Sequence, residues 1–323
     1  MKVDRTSPAT SRVTQGYLIA LAGTTFWSFT AIFIRYLTET YHLPPLVLAF
    51  WRDVAVSLAL VIALMVMAPP LLHVDRRHLP FLFVYGFVLS VFNSLWTVSV
   101  ALNGAAVATV LAYSSPAFTA VLAWWLLHER FDRIKAMAVL LSIAGCTLIS
   151  GAYSPSAWQV NPLGVATGLL AGVLFAGYSL MGKVSSRRGI NPWTATLYTF
   201  AVASAFILAY IVVPGALPGA PRPPSLLWLG SSLVGWGTLI VLAVGPTLGG
   251  FGLYTVSLTY LPASVANLIC TLEPAMTAVL AYLFLSERLT TPQCMGSALI
   301  IACVVILRIG EGRASVQSAL ASA

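Results

Sequence analysis

Three ionisable side chains, Arg52, Asp53 and Glu273, fall inside long apolar runs. A charge in hydrocarbon is expensive, so such residues persist where they have a partner or a task. At about 1.5 Å of rise per residue, Arg52 lies about 10 Å below the outer end of its run, counted from Pro45. Glu273 lies about 16 Å from the inner end of its own run, counted from Ala263, which leaves roughly 14 Å to the outer face of a core about 30 Å thick. The two depths nearly coincide. Neighbours i and i+1 point about 100° apart on a helix, so Arg52 is not expected to answer Asp53. Its own face carries Leu48, Ala49, Val56 and Ala59, all apolar, which leaves Glu273 as the expected ion-pair partner. Static packing, gating and zwitterion binding are the roles open to that pair. The charge of Glu273 would depend on whether the guanidinium is in contact, so protons are a candidate coupling ion.

Around this pair the sequence places aromatic and amide side chains at similar depth: Trp27, Asn93, Trp96, Tyr113, Tyr178, Tyr254 and Asn267. With Glu273 they form the candidate substrate-binding set. Rings supply apolar area and cation–π capacity toward an ammonium, and amides and a carboxylate supply directional contacts. Asn93, Trp96 and Val100 share one helix face by spacing. Pro116 and Pro274 sit near the middle of apolar runs, where each removes a backbone hydrogen bond, so a kink that opens on a cavity is expected at both. The remaining tryptophans, Trp51, Trp124, Trp125, Trp158, Trp193, Trp228 and Trp236, suit an interfacial belt or a lipid contact.

Other chemistry finds little support. His42, His73, His78 and His128 lack metal-ligand spacing, so no metal is expected. Gly245 to Gly252 lacks the setting and the Lys of a phosphate loop, and suits close helix approach or a hinge. Cys146, Cys270, Cys294 and Cys303 show no CxxC pattern and read as small buried apolar groups. No cofactor is expected.

These residues need helices that cross a bilayer. Of 323 residues, 59% are hydrophobic and 8% charged, against about 25% charged in ordinary globular chains, and the mean hydropathy is +0.91. Such a chain cannot cover a soluble surface, and nucleic-acid binding, disorder and a disulfide-stapled fold are disfavoured with it. Apolar runs near bilayer length fall at about 17–37, 45–67, 79–101, 105–127, 134–152, 162–182, 192–213, 226–260, 263–285 and 293–309. The expected fold is therefore an all-α integral membrane protein of ten transmembrane helices. The first run is too long for a signal h-region and is read as an uncleaved span. The eighth, broken at Gly245-Pro246 and Gly249-Gly250, leaves room for a short interfacial helix. With a cytoplasmic N-terminus, thirteen Lys and Arg fall inside, against Arg35, Arg222 and Arg288 outside, a firm positive-inside signal.

An internal repeat organises the spans. PAFTAVLAWWLLHER at 116–130 aligns without gaps on PAMTAVLAYLFLSER at 274–288, identical at ten of fifteen positions. Upstream, Ala105 to Ala108 parallels Ala263 to Ala266. Phe26 parallels Phe175, and Pro45 parallels Pro192, more faintly. Five helices are thus duplicated, as 17–152 and 162–309, with a cytoplasmic tail at 1–16, a linker at 153–161 and a cytoplasmic tail at 310–323. Because five is odd, the second copy enters the membrane inverted. That is the logic of secondary carriers, whose substrate sits at the midplane between the halves.

Two five-helix units, each with Pro-x12-Glu-Arg at its fourth helix, resemble the drug/metabolite transporter superfamily, specifically its EamA-type ten-helix branch, over residues 17–309. The resemblance implies a multi-pass carrier of the bacterial inner membrane with both termini cytoplasmic and a cavity lined mainly by helices 1–4 and 6–9. It implies alternating-access export of amino acids or related metabolites. An importer or permease of another solute (a sugar, nucleoside or drug-like metabolite), a lipid-linked flippase and, less well supported, an intramembrane enzyme are the alternatives. The expected partners are a small-molecule substrate and the lipid bilayer, with no nucleic acid, and the chain is a monomer or homodimer. Glu129-Arg130 and Glu287-Arg288 fit capping or loop bridging at opposite faces.

Overall fold

The computed structural model describes residues 8–129, 132–155, 161–215, 224–285 and 290–321. Arg130, Trp158, Arg222, Glu287 and Arg288 lie outside the described residues, as do the side chains of Val100 and Ala105 to Ala108. Among the described residues every regular element is helical. The helices are α1 (Pro8–Ser28), α2 (Thr30–Tyr41), α3 (Pro45–Met67), α4 (Leu79–Ala112), α5 (Ser115–Leu127), α6 (Arg133–Ser150) and α7 (Pro162–Arg187). They continue as α8 (Pro192–Gly215), α9 (Leu233–Leu242), a π-helical turn (Ala243–Thr247), α10 (Leu248–Tyr260), α11 (Ala263–Cys270), α12 (Glu273–Leu285) and α13 (Thr291–Ala321). Six helical stretches are long and apolar enough to cross a membrane: Arg12–Tyr41, Pro45–Met67, Arg76–Trp96, Pro162–Arg187, Pro192–Val213 and Leu233–Tyr260.

The elements depart from the sequence expectation at breaks. The first span is split at Phe29, and the Ser28 carbonyl, past which α1 stops, accepts from Thr277 Oγ1 of α12 at 3.1 Å. α1 starts at Pro8 and α13 runs to Ala321, so helix extends into both regions expected as tails. Pro116 and Pro274 do not kink a continuous helix. Each occupies the first turn of a new one, after two-residue breaks at Tyr113-Ser114 and Thr271-Leu272, a place where the missing N–H costs nothing. The two breaks sit at the same offset in the repeated segments.

α4 spans both expected runs 79–101 and 105–112. A Cβ built on Gly168 of α7 would lie 2.6 Å from Ser99 Oγ and 2.8 Å from Leu111 Cδ1, whereas twelve residues of straight helix rise about 18 Å. The helical backbone therefore bends sharply between residues 99 and 111, where the sequence carries Asn103-Gly104, a weak helix-forming pair.

In the eighth run no interfacial helix forms. Residues 226–230 make a turn, and Ser232 Oγ caps α9 through the Gly235 N–H at 3.1 Å. Pro246 withholds the N–H that would reach the Leu242 carbonyl, and Thr247 Oγ1 fills that acceptor at 3.0 Å. The glycines after it give close approach: a Cβ on Gly250 would fall 2.2 Å from Trp27 Cδ1.

Packing pairs elements across the halves of the sequence. α1 packs on α10, and α4 packs on α7. α3 packs on α8, α5 on α11, and α6 on α13. Small residues at Gly164, Gly168, Gly172 and Ala176 let α7 approach α4 and α5 closely. One buried cluster fills the centre, and a second, containing Leu37, Val47, Ile207, Leu239 and Leu242, fills one end.

Candidate functional site

Arg52 and Glu273 do not pair. Arg52 Nε donates to Asp53 Oδ1 at 3.4 Å, and Asp53 Oδ2 also accepts from Asn93 Nδ2 of α4 at 3.4 Å. Arg52 is 7% exposed and Asp53 wholly buried. The adjacency rule fails because it fixes where two Cβ atoms point, not where a long guanidinium arm ends. A desolvated guanidinium takes the carboxylate that its arm can reach. Glu273 is held elsewhere: Tyr113 donates its hydroxyl to Glu273 Oε2 at 2.7 Å. Among the described residues no ion pair reaches Glu273.

Tyr113 lies in the break between α4 and α5 and Glu273 opens α12, so this bond joins the two helix breaks that the repeat duplicates. Ser115, the repeat counterpart of Glu273, donates to Asn267 Oδ1 of α11 at 3.1 Å. Asn267 in turn donates from Nδ2 to Ser179 Oγ at 2.9 Å, and Tyr254 donates its hydroxyl to the same oxygen at 2.6 Å. Ser179 Oγ also donates to the Phe175 carbonyl at 2.8 Å, which uses its one proton and both lone pairs. Ser179 is a hub that residue type alone did not reveal, because a hydroxyl in a helix ordinarily bonds back to its own turn. The small-residue stripe of α7 is the signal that could have found it.

Trp27, Tyr178 and Tyr254 form one aromatic cluster with Phe175 and Phe251, which the sequence reading missed. Trp27 meets Phe251 at 4.8 Å and Tyr254 at 5.3 Å between centroids. Tyr178 meets Tyr85 at 4.7 Å. Within this cluster Trp27 Nε1 is buried without a hydrogen-bond partner, a donor that calls for an explanation, while the Tyr85 and Tyr178 hydroxyls lie against each other and against Thr255. Asn93 stands one residue from Phe92, whose ring is 5.2 Å from Phe175. Trp96 is half-buried, and among the described residues no hydrogen bond or ring contact ties it to the cluster. Seven of the eight expected binding residues thus stand in three neighbouring groups: the aromatic cluster with Asn267, the Tyr113–Glu273 pair, and Asn93 on Asp53.

Both ends of the bundle are bridged between the sequence halves. At one end Glu129 Oε1 accepts the Ala263 N–H at 2.9 Å and Glu129 Oε2 accepts from Ser264 Oγ at 2.6 Å. Lys135 Nζ donates to Ser264 Oγ at 3.0 Å, and Lys183 Nζ donates to the carbonyls of Leu258 and Leu261 at 2.8 and 2.7 Å. The capping expected of Glu129 is therefore realised, on α11. At the other end Trp51 Nε1 donates to the Leu226 carbonyl at 2.7 Å, Trp228 Nε1 to the Tyr41 carbonyl at 2.9 Å, and Ser232 Oγ to Tyr41 Oη at 3.1 Å.

Two further expectations need correction. Trp193, read as interfacial, lies against Gly252, where a Cβ would fall 2.4 Å from its Cζ3. Cys294, read as buried, is exposed, while Cys146, Cys270 and Cys303 are buried. Trp124 and Trp125 are 58% and 67% exposed, as a lipid-facing position requires.

The chain matches the EamA-like transporter family twice, over residues 14–151 and 162–309. It is 30% identical over 228 residues to the threonine/homoserine exporter RhtA of Salmonella typhimurium, covering 70% of each chain. It is 25% identical over 302 residues to the pseudopaline exporter CntI of Pseudomonas aeruginosa, covering 92% of this chain and 97% of that one. An uncharacterised transporter of Synechocystis is 27% identical over 223 residues, 69% of this chain and 64% of its own length. Among solved structures, one titled only as the crystal structure of a protein superposes with a TM-score of 0.75, covering 93% of this chain and 98% of the other at 16% identity. That likeness speaks for the fold alone.

Proposed function

We propose that this chain, which belongs to the EamA-like transporter family of the drug/metabolite transporter superfamily, exports an amine-bearing metabolite, an amino acid first of all, across the bacterial inner membrane. It is a transporter and not an enzyme. Alternating access is carried out by two inverted five-helix repeats that make ten spans, with both termini cytoplasmic. The packing pairs support a two-fold relation between the halves: exchanging them turns α1 on α10 into α7 on α4 and maps α3 on α8 and α6 on α13 onto themselves.

The observation that carries the reading is the Tyr113–Glu273 bond at the junction of the two helix breaks. Arg52 is matched by Asp53, so an ionised Glu273 leaves one unmatched negative charge at depth. A substrate ammonium, or a proton, is the counter-charge that such a site accepts at least cost. The aromatic cluster offers apolar area, and its unpartnered Trp27 Nε1 offers a bond to a carboxylate. RhtA and CntI, both named as exporters, support the direction of transport, and RhtA, named for threonine and homoserine, supports the amine-bearing class.

The test is counterflow in liposomes that hold the purified protein, with labelled threonine, homoserine and aromatic amino acids against labelled sugars and nucleosides. Saturable exchange of an amino acid, lost in Glu273→Gln, is expected. Exchange of sugars or nucleosides alone, or an unchanged Glu273→Gln variant, would overturn the reading.

A further inference from the structure

Away from the central site, the end of the bundle at which α4 and α8 begin and α7 finishes carries a hollow of about 370 Å³. Leu79, Leu82, Phe83, Tyr198 and Val202 line it, with Arg76 at its head. Leu82 is its buried floor, while Leu79 and Phe83 are 40% and 54% exposed, so it opens sideways where hydrocarbon lies. Tyr198 presents only its ring, because its hydroxyl donates to the Leu72 carbonyl at 3.0 Å. Beside it lies a second hollow of about 330 Å³, lined by Arg77, His78 and Arg188.

Several positive features converge here. Arg188 stands over the Phe81 ring at 4.3 Å, which holds its guanidinium near the start of α4. The positive end of the α4 dipole points the same way. Among the described residues the carboxylate at this end, Asp75, is paired with Arg77 at 3.0 Å. Arg76, at the head of the apolar slot, and Arg188, in the adjoining hollow, thus face outward without an acidic partner among the described residues. Water would fill the slot poorly, and a free phosphate would leave it empty.

We propose that this place binds an anionic glycerophospholipid, with the phosphate between Arg76 and Arg188 and the first part of one acyl chain in the slot between α4 and α8. Lipids at such basic pockets between membrane helices are held by headgroup charge and by burial of methylenes together. The inference stands apart from the transported substrate, because none of these residues is in the candidate substrate-binding set.

Native mass spectrometry tests it, on detergent-purified protein offered equal amounts of phosphatidylglycerol and phosphatidylethanolamine with identical chains. The wild type should retain phosphatidylglycerol preferentially. Arg76→Gln and Arg188→Gln should each lower that preference about fivefold, and the pair should abolish it, while Arg133→Gln, at an exposed arginine elsewhere, should leave it unchanged. Phe83→Ser should weaken retention of both lipids. Monodisperse elution and an unchanged thermal transition establish folding, and the single variants stand in if the double fails this check. No preference in the wild type, or an equal loss in Arg133→Gln, would overturn the proposal. Complete displacement by soluble glycerol phosphate would also overturn it, since it would reveal an anion site with no use for the slot.

Discussion

Glu129 Oε1 accepts the Ala263 N–H at 2.9 Å, so a carboxylate at the end of α5 caps the start of α11. Ser264 and Lys135 complete the corner, and Lys183 ties down the last carbonyls of α10 from α7. If the halves rock against each other, this corner has to part when its side of the membrane opens. On a cysteine-free background, a disulfide between Glu129→Cys and Ser264→Cys should arrest exchange in liposomes, and reduction should restore it. Unimpaired exchange by the cross-linked protein would show that the corner stays shut throughout the cycle.

The opposite end yields a matching prediction. Trp51→Phe keeps an aromatic ring toward Trp236, whose ring meets the Trp51 indole at 5.1 Å, but removes the N–H bound to the Leu226 carbonyl, a loss of about 1 kcal/mol. That end should open more often. A cysteine placed at Leu226 should then react faster with a membrane-impermeant maleimide than in the parent. Equal rates would mean that the indole bond does not hold the end closed.

Arg52 and Asp53 form a buried pair whose halves cannot be removed singly at low cost. Asp53→Asn leaves a guanidinium without its counter-charge and Arg52→Met leaves a carboxylate, each about 3–5 kcal/mol destabilising, while the double substitution should recover most of the loss. Thermal unfolding in detergent measures the cycle. Strictly additive losses would mean that the two charges act separately.

The parts of this molecule that the sequence made legible are those written twice. The duplicated Pro marked where two helices are interrupted, as breaks rather than the expected kinks, and the duplicated Glu-Arg pointed to the Glu129 cap, because each recurs at one offset. The break at Phe29 was illegible: it holds neither Pro nor Gly, and what accommodates it is a hydroxyl from Thr277, 249 residues away in the chain. Asp53 was set aside by a rule about Cβ directions that a flexible arginine does not obey. Trp27, Tyr178 and Tyr254 were found because large aromatics at depth are conspicuous, whereas Ser179, the atom that fixes two of the candidate groups, is small and lies in a helix full of small residues.

Ser179→Ala removes the acceptor used by Tyr254 and Asn267 together. Two buried donors lose their partner, at about 1–3 kcal/mol each. The expected result is a lower thermal transition with a raised KM for exchange, since both groups belong to the proposed substrate site. Ser179→Thr keeps the hydroxyl and should restore much of the effect on KM if positioning is the cause. A variant with wild-type KM and only lower stability would confine Ser179 to packing.

Tyr113 and Glu273 should behave as one unit. Tyr113→Phe keeps the ring and removes the proton donor of the 2.7 Å bond, which leaves the carboxylate without its partner. Hydrogen bonds to charged groups contribute about 1.5–3 kcal/mol, so apparent affinity for an amine-bearing solute should change about tenfold or more. The direction tells what the hydroxyl does. If it only orients the carboxylate, KM rises. If it competes with the ammonium for the same oxygen, KM falls while release slows. In the Glu273→Gln background the hydroxyl faces a neutral amide, and Tyr113→Phe should then add little. Full additivity of the two substitutions in counterflow rates would separate the residues and remove the Tyr113–Glu273 junction as the centre of the site.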